Sequence, residues 1–267
     1  MTGTATATRL LVPLYVHPAV DPAAWQAVAA AGPGTVRAVV LNVADGPGPA
    51  LEPAFAEASA RLAEAGVEVL GYVDTGYGSR PHAQVVAEIL NHRDWYGTTG
   101  VYFDQAATHP DAVPHYRRLA VAARAAGCAT VVLGHGDHPE PAYAEPELSD
   151  LLVTFEGTWK SYQDLVLPLW TGHHPAERFC HLVYEVPADR AEATGALIAS
   201  RRAGVGCAVP GSGANPWDRL PYGLSPTTGP TAQPSAHPTA HLSAHPSAKG
   251  RPATPSPSPP TDPECPL

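Results

Sequence analysis

Eight short runs of apolar, β-branched residues recur along this chain, and no other feature limits its possible folds as strongly. They begin near Leu10 (LLVPLYV), Val36 (VRAVVLNV), Val67 (VEVLGYVD), Thr99 (TGVYFD), Ala129 (ATVVLG), Leu151 (LLVTFE), Cys180 (CHLVYEV) and Val205 (VGCAVPG). Successive starts lie 26, 31, 32, 30, 22, 29 and 25 residues apart. Alanine-rich segments with helical periodicity fill most of the gaps. From Pro53 to Ala65, for instance, Phe55, Ala58, Leu62 and Ala65 share one face. Asp21-Pro22, Pro53 and Asp189 sit where an N-cap or a first-turn proline belongs. Gly32, Gly66, Gly127 and Gly204 are placed to end helices, since glycine takes the left-handed cap conformation without a Cβ clash.

Strands alternating with helices at this spacing predict parallel pairing, because each helix carries the chain back along the sheet. Runs that are apolar on both faces fit a sheet covered by helices. Eight units predict an α/β fold of the (β/α)8 barrel type, with an open doubly wound sheet as the alternative. Two units are irregular. Prolines interrupt residues 139–147 after the fifth strand, and the last helix is at most one turn around Trp217.

From Ser225 onward the pattern stops. These 43 residues hold 12 of the 31 prolines and almost no large apolar side chain. Such a segment cannot bury enough area to offset its ordering entropy, so a barrel over residues 1–224 and a disordered tail over 225–267 are expected. His237, His241 and His245 in the tail belong to a degenerate SAHP/TAHL repeat rather than a metal site. Hydrophobic residues at 44% are enough for one large core. A net charge of −9 with only 15% charged residues argues against a nucleic-acid surface. No apolar run reaches the ~18 residues of a membrane span, and the N-terminus shows no basic, cleavable leader. A monomer without cofactor or metal is expected, and its localisation is left open. Cys128, Cys180 and Cys207 fall in or beside strand runs as buried thiols; no CxxC spacing occurs.

In a barrel the carboxyl ends of the strands form the active face. Tyr15 and His17, Asn42, Tyr72 and Asp74, Asp104 and Gln105, His135, Glu156, His181 and Tyr184, and Asn215 and Trp217 fall at or near those ends. Asp104 and Glu156 stand out because each directly follows an apolar run, and charge in a barrel is expensive unless used or paired. Next-but-one strands lie roughly 10 Å apart, so the two carboxyls can converge on one ligand. Two convergent carboxylates are what glycosidic cleavage requires. Phe155 and Trp159 give Glu156 an apolar setting that favours its protonated form. The alternative is structural: Asp104 capping the next segment and Glu156 paired with Arg80 or Lys160. In the loop Thr75-Gly76-Tyr77-Gly78-Ser79-Arg80, Tyr77 offers a stacking ring and Arg80 a cationic fork, or else a structural ion pair. Tyr15, Tyr72, Tyr184 and Trp217 are candidate platforms for sugar faces. His135 and His138 with Asp137 lack a third metal ligand at a recognisable spacing.

Taken in order, LLVPLYVHP, GYVDTGYGSRP, WYGTTGVYFDQ, DLLVTFEG and NPWDRLP resemble the motifs of the spherulation-specific family 4 (spherulin-4-like) proteins. That family includes the fungal galactosaminogalactan hydrolases of glycoside hydrolase family 135. The resemblance runs from about Leu10 to Pro221. It implies a (β/α)8-type barrel that cleaves α-1,4-linked galactosamine or N-acetylgalactosamine polymers with retention. It places the catalytic aspartate on Asp104 and the glutamate on Glu156. His17, Asn42, Tyr72, Asp74, Tyr77, Arg80, Gln105, His135, His181, Tyr184 and Trp217 are the expected substrate contacts. Two departures stand out. Characterised fungal members tend to carry Asp-Glu after strand four, where this chain has Asp104-Gln105. VVLGHG replaces the expected VVLNPG turn, which puts His135 at that subsite. If the missing glutamate is the acid or base, the chain is a weak enzyme or a carbohydrate binder only.

Overall fold

The computed structural model describes residues 8–224, so the predicted tail lies outside the described residues. Eight parallel strands close into a barrel in chain order. They are β1 (Arg9–Pro13), β2 (Val36–Leu41), β3 (Val69–Asp74), β4 (Gly100–Asp104), β5 (Thr130–Gly134), β6 (Leu151–Thr158), β7 (Phe179–Tyr184) and β8 (Val205–Ala208). Arg9 and Leu10 of β1 pair with Val205 and Gly206 of β8, which closes the ring. The open doubly wound alternative is thereby excluded.

Six α-helices lie outside the strands among the described residues: α1 (Pro22–Thr35), α2 (Pro53–Glu64), α3 (His82–Tyr96), α4 (Val113–Ala125), α5 (Trp159–Gln163) and α6 (Ala191–Ser200). Asp21 caps α1 by accepting from the Ala24 N–H at 3.0 Å, with Pro22 in the first turn as the sequence predicts. Phe55, Ala58 and Leu62 of α2 turn inward together. After β5 no α-helix forms. Pro139, Pro141 and Pro146 remove backbone donors there, and only a 3₁₀ turn (Pro141–Ala144) remains. Two helix-end expectations need correction. Asp189 lies inside a 3₁₀ turn, and Arg190 occupies the N-cap of α6. The left-handed residue after α6 is Arg202 (φ 61°), not Gly204. Gly204 instead lets two segments approach, since a Cβ there would sit 2.9 Å from the Glu177 backbone.

Strand alternation sorts side chains into two layers. Leu11, Ala38, Val40, Leu70, Tyr72, Tyr102, Val132, Leu151, Val153, Cys180, Leu182, Val205 and Cys207 fill the barrel. The intervening residues, such as Val73, Phe103, Leu133, Leu152 and Val183, pack under the helices. Fully burying such a side chain stabilises the fold by about 1.5–3 kcal/mol. Tyr102 needs room at its hydroxyl, and Gly134 on the neighbouring strand provides it; a Cβ there would lie 2.6 Å from that oxygen.

One strand breaks the alternation. Val153 of β6 pairs with Cys180, but Phe155 pairs with the next residue, His181, so Thr154 is an extra residue in the ladder. Val153 faces the barrel interior and Phe155 the helix layer. Without the bulge, continued alternation from Val153 would point Phe155 inward and Glu156 outward. With it, Glu156 turns into the barrel mouth.

Candidate active site

A cleft of about 850 Å³ opens at the carboxyl ends of the strands. Its floor is built from Tyr15, Tyr72, Tyr102 and Leu182, and its walls carry Asp45, Asp104, Gln105, Glu156 and Trp217. Asp104 ends β4 with the same inward parity as Tyr102. Its Oδ2 accepts the Tyr72 hydroxyl at 2.7 Å. Glu156 accepts the Trp217 indole N–H on Oε1 at 3.1 Å. Its proton affinity is raised to about 8, first by burial and then by the negative charge of Asp104; the Trp217 hydrogen bond pulls the other way. Burial and the Asp104 charge together favour the protonated form of Glu156 at neutral pH.

Burial also pushes the phenols upward. Tyr15 and Tyr102 rise well above the ordinary tyrosine range, and Tyr72 rises as well; burial leads in each case, followed by a nearby carboxylate. All three enter the cleft as neutral hydroxyls. His135 is 8% exposed, and burial lowers its proton affinity to about 4. Its Nδ1 lies 3.3 Å from the Ala106 carbonyl, an acceptor only, so Nδ1 bears the hydrogen and Nε2 is left as an acceptor.

Backbone strain gathers here. Asp45 (φ 51°), Tyr77 (φ 56°) and Gln105 (φ 47°) are left-handed without being glycine, and all three line the cleft. Each such residue costs about 1–2 kcal/mol, which the surroundings must offset. They do so with hydrogen bonds. The Tyr77 N–H donates to the Gln105 carbonyl at 2.7 Å, and buried Thr75 Oγ1 lies 2.9 Å from the carbonyls of both Asp104 and Gln105. Asn42 Oδ1 accepts the Gly46 N–H at 3.0 Å, fixing the turn that carries Asp45. Tyr77 remains 51% exposed at the rim, the open aromatic face of the cleft.

A model of the spherulation-specific family 4 matches residues 9–220. The chain belongs to the spherulation-specific family 4. Spherulin-4 of Physarum polycephalum is 32% identical over 154 residues, a match covering 55% of this chain and 44% of that protein. This chain thus spans less than half the length of the curated relative. In fold it is similar to the crystal structure of Aspergillus clavatus Sph3 in complex with GalNAc, with a TM-score of 0.70 and 23% identity. That superposition covers 82% of this chain and 95% of the other.

Within this spherulation-specific family 4 barrel, eight of the thirteen residues expected at the site line the cleft: Asn42, Tyr72, Tyr77, Asp104, Gln105, His135, Glu156 and Trp217. Five do not. His181 faces the helix layer, because Cys180 and Leu182 on either side take the inward positions of β7. There its Nδ1 meets the Tyr162 hydroxyl at 2.9 Å. Arg80 is committed to the structural alternative, an ion pair with Glu88 and a bond to the Asp74 carbonyl at 2.6 Å. Asp74 turns one oxygen to the Gly76 N–H at 2.6 Å and the other to the Gln105 amide at 3.3 Å. His17 lies past β1, against Phe55 and 3.8 Å from Glu52. Tyr184 stands behind Trp217, edge-on at 5.8 Å.

The site-residue set also lacks Asp45, Tyr102 and Asn215, which line the cleft. Inward parity two residues before Asp104 could have flagged Tyr102, and the Asp-Gly turn could have flagged Asp45. Asn215 stood among the residues after strand eight and caps the turn that carries Trp217. Among the described residues no group of three or more His, Cys, Asp or Glu side chains could hold a metal ion. Nor is any described helix long and apolar enough to cross a membrane.

Proposed function

We propose that this chain is a glycoside hydrolase acting on an α-1,4-linked galactosamine- or N-acetylgalactosamine-type polysaccharide. The observation that carries the proposal is two carboxyls, Asp104 and Glu156, lining a single tyrosine-floored cleft, with burial and the Asp104 charge raising the proton affinity of Glu156. Glu156 protonates the glycosidic oxygen as the bond to the anomeric carbon breaks. Asp104, held by the Tyr72 hydroxyl, attacks that carbon and forms a glycosyl ester. In the second half-reaction, Glu156 as carboxylate takes a proton from water, the water oxygen attacks the same carbon, and Asp104 leaves. Net retention follows. Tyr77 supplies the exposed face on which a sugar ring stacks. The substrate class is supported by family membership and by the GalNAc bound to the structurally similar Sph3.

The test is release of reducing ends from acetylated and de-N-acetylated α-1,4-galactosaminan, with the anomer of the first product read by NMR. Release by the wild type and its loss in Asp104→Asn support the assignment; equal release by both removes it. Gln105 favours a second reading, a barrel that binds such glycans without turnover. Measurable glycan binding with no new reducing ends would select it.

A further inference from the structure

Trp217 was expected to stack on a sugar, but its setting gives it different work. The indole is 4% exposed, and the edge of Tyr184 meets it at 5.8 Å and 85°. Little of the ring is left open to a ligand. Its backbone is clamped: the carbonyl accepts the Tyr15 N–H at 3.0 Å, and the N–H donates to Asn215 Oδ1 at 3.2 Å. Asn215 in turn donates to the Tyr15 carbonyl at 2.9 Å. The ring therefore presents its N–H from a fixed point, and the one acceptor on it is Glu156 Oε1.

An indole N–H can only donate. The carbonyl oxygen of a carboxylic acid accepts more strongly than its hydroxyl oxygen, so a protonated Glu156 favours its carbonyl oxygen toward the indole and its hydrogen on the other oxygen. We infer that Trp217 is a positioning residue that holds Glu156 Oε1 as acceptor, biasing the transferable proton toward Oε2. When that proton leaves, the same N–H stabilises the carboxylate and readies it to take a proton back from water. The catalytic consequence rests on the glycosidase proposal; the placement of the proton does not.

The experiment replaces Trp217 with Phe and, to keep the ring volume, with benzothienylalanine, an indole isostere whose sulfur replaces the N–H. Glu156 is titrated in the unliganded protein by carbon-detected NMR. Losing the donor should move its midpoint upward from about 8 by about one pH unit in both variants. Turnover of the galactosaminan should fall about tenfold in kcat with KM little changed, and the basic limb of the kcat profile should move up with the midpoint. A folded variant with an unmoved or lowered midpoint overturns the inference, as does a raised KM with kcat preserved, the mark of a sugar platform. If Phe prevents folding, the isostere decides. If even the wild type releases no reducing ends, the glycosidase proposal fails while the titration still decides whether the Trp217 N–H holds the Glu156 carboxyl.

Discussion

The two sides of the barrel mouth handle a carboxyl group in opposite ways. On the β3–β4 side, Asp104 sits among polar groups: a tyrosine hydroxyl at 2.7 Å, the Asp74–Gln105 contact at 3.3 Å, and two left-handed residues, Tyr77 and Gln105, tied together through their backbones. On the β6–β8 side, Glu156 sits against Leu182 and Trp217 with one indole N–H as its partner, buried enough to keep its proton to about pH 8. Similar side chains thus meet different surroundings, and burial beside a second carboxyl raises the proton affinity of Glu156.

The sharpest way to break this contrast is to neutralise each side in turn. Asp104→Asn and Glu156→Gln should each lower kcat for the polysaccharide by about 10²–10⁴-fold. The double variant should be little worse than either single one, since the residues act as a unit. A near-additive loss would show that the two sides do not cooperate.

Stability should follow the same division. The native-state affinity of Glu156 is raised from 4.5 to about 8, so between these values the unfolded chain releases a proton that the native state keeps. Stability contributed by the protonated group is full below the lower value and is lost as pH rises toward 8. Glu156→Gln removes that loss and should stabilise the protein by about 3 kcal/mol above pH 8 even as it lowers kcat. The buried imidazoles of His92, His135 and His181 act in the other direction. Burial lowers them from 6.5 to about 4, 4 and 3, so stability should fall as pH drops below 6.5. Denaturant midpoints across pH 4–9 should peak near 6.5, and in Glu156→Gln the alkaline limb should flatten while the acid limb steepens.

Gln105→Glu tests the polar side. It exchanges the amide facing Asp74 Oδ2 for a second carboxylate. A loss of about 1–2 kcal/mol at pH 7 is expected. No loss at pH 7 would show that the strained β4 loop simply swings away. The smallest effect belongs to the bulge. Thr154 Oγ1 is buried without a hydrogen-bond partner. Thr154→Val should raise stability by about 1 kcal/mol and leave the protonation of Glu156 unchanged; a fall in stability would show that the hydroxyl serves the bulge.

Much of this architecture is readable in one dimension. The period of the apolar runs fixes eight β-α units, and the prolines after β5 mark where a helix fails. Asp104 can also be placed by counting, since β4 alternates regularly from Gly100 to its end. His181 and Arg80 show where counting misleads. A polar residue in a strand signals function only if it faces inward. His181 sits between two inward neighbours, and Arg80 is satisfied by a glutamate eight residues along on α3.

By itself, then, the sequence determined a run of eight β-α units, with a barrel expected and an open sheet as the alternative, and placed acids near the carboxyl ends of the fourth and sixth strands. Hydrophobic periodicity and terminal polarity are local properties, and both are written residue by residue. Only the tertiary structure decided that the ring closes, that Glu156 faces inward and how strongly it holds its proton. The inward turn of Glu156 depends on one extra residue in the β6 ladder, and its proton on the burial around it and the charge of Asp104, tempered by an indole 61 positions away. Desolvation and long-range charge add up over everything folded around a group, so no stretch of sequence carries them alone.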